Sequence, residues 1–136
     1  MNFYRFISVI AAVSLSVFAA KAQNQAPKTP EEKEKQLMEF IDKEVQRLSG
    51  MLELEYWQEF YVDSTLTHDY KAMSQEMEQM QGAKVENPDL YLNVQDKWLQ
   101  QIDDSYKRFF TEEQWKKYWK NGGKRAQESR NKRKKK

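Results

Sequence analysis

Apolar residues recur at helical spacing along this chain, and no stretch shows the strict alternation of a half-buried strand. Leu37, Phe40, Ile41, Val45 and Leu48 recur at spacings of three and four, forming one stripe of an amphipathic helix. "TPEE" opens that helix: Thr29 suits the N-cap, Pro30 the first position, and Glu31 and Glu32 the positive end of the macrodipole. Ser49-Gly50 is expected to end or kink it. A second helix is expected from about Tyr56 to Gln81, carrying Trp57, Phe60 and Tyr61, then Leu66, Tyr70, Met73, Met77 and Met80. The last five are separated by four, three, four and three, the rhythm of a coiled-coil seam. "DSTLT", Asp63 to Thr67, has poor helix propensity and is expected to bend or break this helix. Gly82 to Asn87 reads as a turn. "NPDL" then repeats the opening grammar, with Asn87 as cap, Pro88 first and Asp89 in the first turn. Leu90, Val94, Trp98, Ile102, Tyr106 and Phe109 stripe a third helix of about twenty residues, on the order of 30 Å.

The sharpest local signal is "FFTEEQWKKYW", Phe109 to Trp119. With Thr111 as N-cap, Gln114 falls at N3, so the Thr hydroxyl can accept the Gln114 N–H while the Gln side chain reaches back to the Thr N–H. Phe110 and Trp115 flank this capping box as a hydrophobic staple. A short fourth helix follows, and "NGG", Asn121 to Gly123, is expected to stop it.

Composition changes the picture in three ways. First, Arg5, the apolar run Phe6 to Ala20 and the small-x-small triplet Ala20-Lys21-Ala22 read as a secretory signal peptide cleaved after Ala22. The run is shorter than the roughly 20 apolar residues of a membrane span, so no anchor is expected once it is removed. Second, the chain has no cysteine, which excludes disulfides and lipid attachment through Cys and points to a bacterial envelope protein, periplasmic or secreted. Third, residues 124–136 hold eight bases and one acid, a surplus of +7 that, with Arg5 and Lys21 set aside, leaves residues 23–123 at −7. The expected boundaries are therefore a signal at 1–22, a disordered leader at 23–29, a helical domain at 30–123 and a mobile basic tail at 124–136. That tail either binds a polyanion of the envelope, by releasing counterions, or folds loosely over its own acidic body. Nucleic acid is not an expected partner for an exported chain.

"FTEEQ", Phe110 to Gln114, and "LEYWQ", Leu54 to Gln58, place two Gln residues 56 apart. Together with the signal, the size and the basic tail, this resembles the Spy and CpxP family of small periplasmic stress proteins, whose mark is a Leu-Thr-x-x-Gln motif present twice. Phe110 stands for Leu in one copy and Glu55 for Thr in the other. The resemblance covers roughly Leu48 to Lys124. It implies a cradle-like antiparallel homodimer of bent helices that binds unfolded or partly folded proteins without ATP; some members instead restrain a sensor kinase or sense metal. Chaperone-type cradles of the family are basic on the concave side, whereas this body is acidic.

The candidate chemistry is adhesion. Met73, Met77 and Met80 read either as an adaptable apolar binding face or as ordinary core. Trp57, Phe60, Trp98 and Phe109 are expected in the core, and Tyr61, Trp115, Tyr118 and Trp119 are the candidate client-binding rings. Leu54, Gln58, Phe110, Thr111 and Gln114 are structural motif positions. No enzyme is expected, and no cofactor: His68 is the only histidine, too few nitrogen ligands for a usual zinc site. Asp103-Asp104 reads as a solvated face. The expected architecture is all-α, three long helices plus a short C-terminal one in an antiparallel hairpin-like bundle. Because the apolar stripes are extensive for so thin a chain, a cradle-like dimer is expected.

Overall fold

The computed structural model describes residues 27–135; the expected signal peptide and most of the expected leader lie outside them. Of the two units into which the chain divides, the described residues cover 27–33 of the first and 34–135 of the second. In the first, Thr29 Oγ1 accepts the Glu32 N–H at 3.2 Å and Glu32 Oε2 accepts the Thr29 N–H at 3.0 Å, a complete capping box at the start of helix α1, Pro30–Leu52.

Four further helices follow: α2, Tyr56–Gly82; α3, Pro88–Phe109; α4, Glu112–Tyr118; and α5, Lys124–Lys134. A π-helical turn, Trp119–Gly123, joins the last two. The described residues contain no strand, so the chain is all-α. Within the second unit, one core gathers Ile41, Leu48 and Leu52 from α1, Val62, Leu66, Tyr70 and Met73 from α2, and Ile102 and Tyr106 from α3, with Phe110 just beyond. Each such side chain withdrawn from water contributes about 1.5–3 kcal/mol. Phe40 meets Tyr70 edge-on at 5.3 Å, and Lys71 reaches Glu34 at 2.8 Å, tying α1 to α2. Glu76 of α2 accepts from Lys97 Nζ and Trp98 Nε1 of α3, each at 2.7 Å. No helix among the described residues is long and apolar enough to cross a membrane.

Three local expectations are corrected. Helix α1 does not stop at Ser49-Gly50 but runs on to Leu52. A helical Gly costs about 1 kcal/mol, which the burial of Leu52 at 3 % exposure outweighs; the helix ends instead at Glu53, in the left-handed region with φ 53°. The "DSTLT" stretch neither breaks nor ends α2, because Val62 and Leu66 on either side of it are buried, and packing overrides weak propensity there.

The third correction concerns the basic tail, expected to be mobile. Residues 124–134 form α5, and Arg130 within it is 3 % exposed. Asp96 and Asp103, seven residues apart, share a face of α3, and Arg130 and Arg133 share a face of α5. Arg130 pairs with Asp103 and reaches Gln100 at 3.3 Å; Arg133 makes a two-pronged bridge to Asp96 at 2.7 and 2.6 Å. The hydrogen bonds to Asp96 hold the Arg133 pKa above its ordinary value. Asp103, expected on a solvated face, is thus a buried anchor; only Asp104 beside it is exposed. The chain can turn back to make these bridges because "NGG" interrupts the helix: Gly122 takes φ 131°, open to Gly without strain. Gly123 sits so close to Tyr118 that an added Cβ would lie 2.9 Å from its ring.

Candidate functional site

The two glutamine motifs, distant in sequence, meet in space. At α4, Thr111 Oγ1 accepts the Gln114 N–H at 3.2 Å, and Gln114 Oε1 accepts the Thr111 N–H at 2.9 Å, completing the expected capping box. At α2, Gln58 Oε1 accepts the Glu55 N–H at 3.0 Å. The two amides then clasp each other: Gln58 Nε2 donates to Gln114 Oε1 at 2.7 Å, and Gln114 Nε2 donates to Gln58 Oε1 at 3.0 Å. The remaining amide hydrogens go to the Phe109 carbonyl at 3.0 Å, from Gln58, and to the Leu52 carbonyl at 3.3 Å, from Gln114. Both side chains use both hydrogens and both lone-pair sites. The clasp joins the start of α2 and the end of α1 to the α3–α4 junction. Removing only the capping oxygen, Thr111→Ala, is expected to cost about 0.5–2 kcal/mol, read as a lower melting temperature. Glu128→Ala, at an exposed site on α5, should change stability by less than about 0.5 kcal/mol; equal, negligible shifts would refute the capping role.

Around the clasp lies a run of rings. Tyr106 stacks on Phe110 at 5.0 Å and meets Tyr118 edge-on at 5.5 Å. Tyr61 stacks on Phe109 at 5.8 Å, and Trp115 stacks on Trp119 at 5.7 Å. Tyr118 Oη donates to Asp103 Oδ1 at 2.5 Å. Burial raises the Tyr118 pKa well above its ordinary value and the Asp103 charge raises it further, so the phenol stays protonated and keeps donating. Burial does the same to Tyr106.

The candidate binding residues divide accordingly. Met73 is buried in the core, and Tyr118 is half-buried, packed against the core and tied to Asp103. Met77 also packs against the core, and Met80 is half-buried beyond it. Trp115 and Trp119 are half-buried, and Tyr61 is exposed. Leu54, the first residue of its motif, packs partly buried on the core. Of the rings expected in the core, Phe109 and Trp98 pack against it, but Trp57 and Phe60 do not: they are 46 % and 62 % exposed, beside Tyr61 at 51 % and Tyr56 at 87 %. A signal for this existed in the sequence. The buried stripe of α2 runs Gln58, Val62, Leu66, Asp69, Met73; once the first of these is allowed inside, its neighbouring rings must point elsewhere. A polar residue heading an apolar stripe conceals that register.

His68 is largely exposed, with Nδ1 2.7 Å from Asp69 Oδ1, which also accepts from Gln101 Nε2 at 3.1 Å. Among the described residues no group of three or more His, Asp or Glu could hold a metal ion. The exposed ring cluster Tyr56, Trp57, Phe60 and Tyr61, held in place by the clasp, is therefore the candidate site. Trp57 Nε1 donates to Glu55 Oε2 at 2.5 Å, Trp57 meets Tyr61 edge-on at 6.0 Å, and Phe60 meets Tyr61 edge-on at 5.9 Å. Compared with known protein families, known proteins and solved structures, the chain matches none.

Proposed function

We propose that this chain is a nucleotide-independent chaperone of the bacterial envelope that reversibly captures partly unfolded polypeptides, as in the Spy and CpxP family its paired glutamine motifs resemble. The observation that supports this best is the cluster of four adjacent exposed rings on the first turns of α2. Tyr and Trp offer large contact area for little loss of rotamer freedom, and contiguous exposed apolar surface marks interaction sites. On a helix fixed by the clasp, the backbone that carries the rings is already ordered before a client arrives, which lowers the entropy cost of capture. No bond is made or broken; rings supply affinity, and the surrounding charges govern encounter and release. A cradle-like homodimer belongs to the same proposal and would offer two such clusters to one client.

A second reading, a module that docks one folded envelope partner or a polyanion, draws on exposed lysines in the last turn of α5 and just past it, Lys132, Lys134 and Lys135. The two separate in one experiment. Full-length mature chain, at stoichiometric ratio, is expected to suppress aggregation of two unrelated denatured proteins, and Trp57→Ser with Phe60→Ser is expected to abolish this while unfolding within about 0.5 kcal/mol of the parent, as exposed substitutions do. No suppression of either protein, beside tight salt-sensitive binding to a single partner, would overturn the chaperone reading in favour of the second.

A further inference from the structure

The ring cluster is acidic. From Glu53 through Asp63 the chain contains Glu53, Glu55, Glu59 and Asp63 and no Lys or Arg. Tyr56, Phe60 and Asp63, at i, i+4 and i+7, share one face of α2. Glu53 and Glu55 are exposed just before it, and Glu55 holds the Trp57 indole. Glu59 is engaged by the Ser49 hydroxyl.

Elsewhere the protein supplies its own rings with cations. Lys97 Nζ lies 5.0 Å from the centre of the Trp98 ring, and Lys107 Nζ lies 5.8 Å from that of Trp115. Among the described residues no such cation covers Tyr56, Trp57, Phe60 or Tyr61. These faces are electron-rich π surfaces, bordered by carboxylates and lacking the partner that such surfaces attract. A Lys or Arg set between apolar residues satisfies both demands: its charge meets ring faces and carboxylates, and its neighbours cover the apolar edges. An acidic segment of equal apolar content is repelled by the same carboxylates. The chain's own α5 does not fit the role, because Ala126 is its only apolar residue and two of its arginines are committed to Asp96 and Asp103.

We infer that the Tyr56–Tyr61 face selects, among unfolded polypeptides, segments in which Lys or Arg alternates with apolar residues. This rests on the chaperone reading and narrows it to a client class.

The test uses full-length mature protein and three fluorescent peptides of equal length and equal Leu and Phe content, whose polar positions are Lys and Arg, Gln and Ser, or Glu. Binding is followed by anisotropy at low and high salt, with sedimentation of the protein alone. The basic peptide is expected to bind about tenfold more tightly than the acidic one at low salt, with the gap shrinking as salt rises. Glu53→Gln with Asp63→Asn should shrink it at low salt too, and Trp57→Ser should weaken the basic peptide most. Equal affinity for all three peptides would overturn the charge selection and leave the chaperone reading standing. Binding of none would overturn that reading as well. Preference for the acidic peptide would overturn the inference, and so would a dimer that Trp57→Ser dissociates and no peptide displaces, since a second copy would then cover the face.

Discussion

Asp103→Ala is expected to destabilise the protein by about 3–5 kcal/mol, because it leaves Arg130 as a buried cation without its counter-charge. The side chains of Arg130 and Asp103 are only 4 % and 7 % exposed. Arg130 Nε already lacks a hydrogen-bond partner, so the guanidinium keeps only its 3.3 Å bond to the neutral Gln100 amide. The same substitution removes the acceptor of the Tyr118 hydroxyl. Without the bridge, α5 retains Arg133–Asp96, whose arginine is 41 % exposed and whose attraction salt screens. Chemical denaturation should therefore show the loss of stability, and trypsin should cut within Lys124–Lys134 faster than in the parent, more so at high salt. Replacing both partners and the hydroxyl that depends on them, Asp103→Leu with Arg130→Met and Tyr118→Phe, should recover most of the lost stability, since well-packed apolar groups can replace a buried ion pair at little cost. An Asp103→Ala protein with parental stability and parental trypsin resistance would show that the bridge does not hold the C-terminal helix.

Gln58→Leu carries the second large expected effect, about 3 kcal/mol or more. Gln58 is 1 % exposed, and its amide serves the Glu55 N–H, the Phe109 carbonyl and both polar atoms of the Gln114 amide. Each buried group left without a partner costs about 1–3 kcal/mol. Gln114→Leu should cost a similar amount, but the double variant should lose less than the two losses added, by roughly 1–3 kcal/mol, because the second change removes groups that the first has already orphaned. Denaturation of the four proteins of the cycle measures this directly. Losses that add to within about 0.5 kcal/mol would mean two independent caps and no clasp.

Both predictions turn on residues whose partners lie far along the chain, and this is where sequence and structure part. Capping was legible: Thr29, Asn87 and Thr111 each bond backbone within three residues, so the signal and its cause share one short window. The seam Leu66, Tyr70, Met73 was legible for the same reason, since a stripe needs only its own helix. The ring cluster was not, because which side of α2 turns inward near its start depends on what α3 and α4 present there. That proved to be a glutamine. For the tail, local charge argued for mobility because a run of like charge repels itself; Asp96 and Asp103, brought into one line by α3, turn that charge into an anchor for α5.

By itself, then, the sequence determined an all-helical chain, the starts of its helices and the seam residues of α2, all set by interactions that span three or four residues. Only the tertiary structure decided that the two glutamines bind each other, that the basic segment is a docked helix, and that Tyr56, Trp57, Phe60 and Tyr61 face outward. Those outcomes depend on desolvation and on pairing between groups tens of residues apart, and a local pattern names the groups without saying which of them will meet.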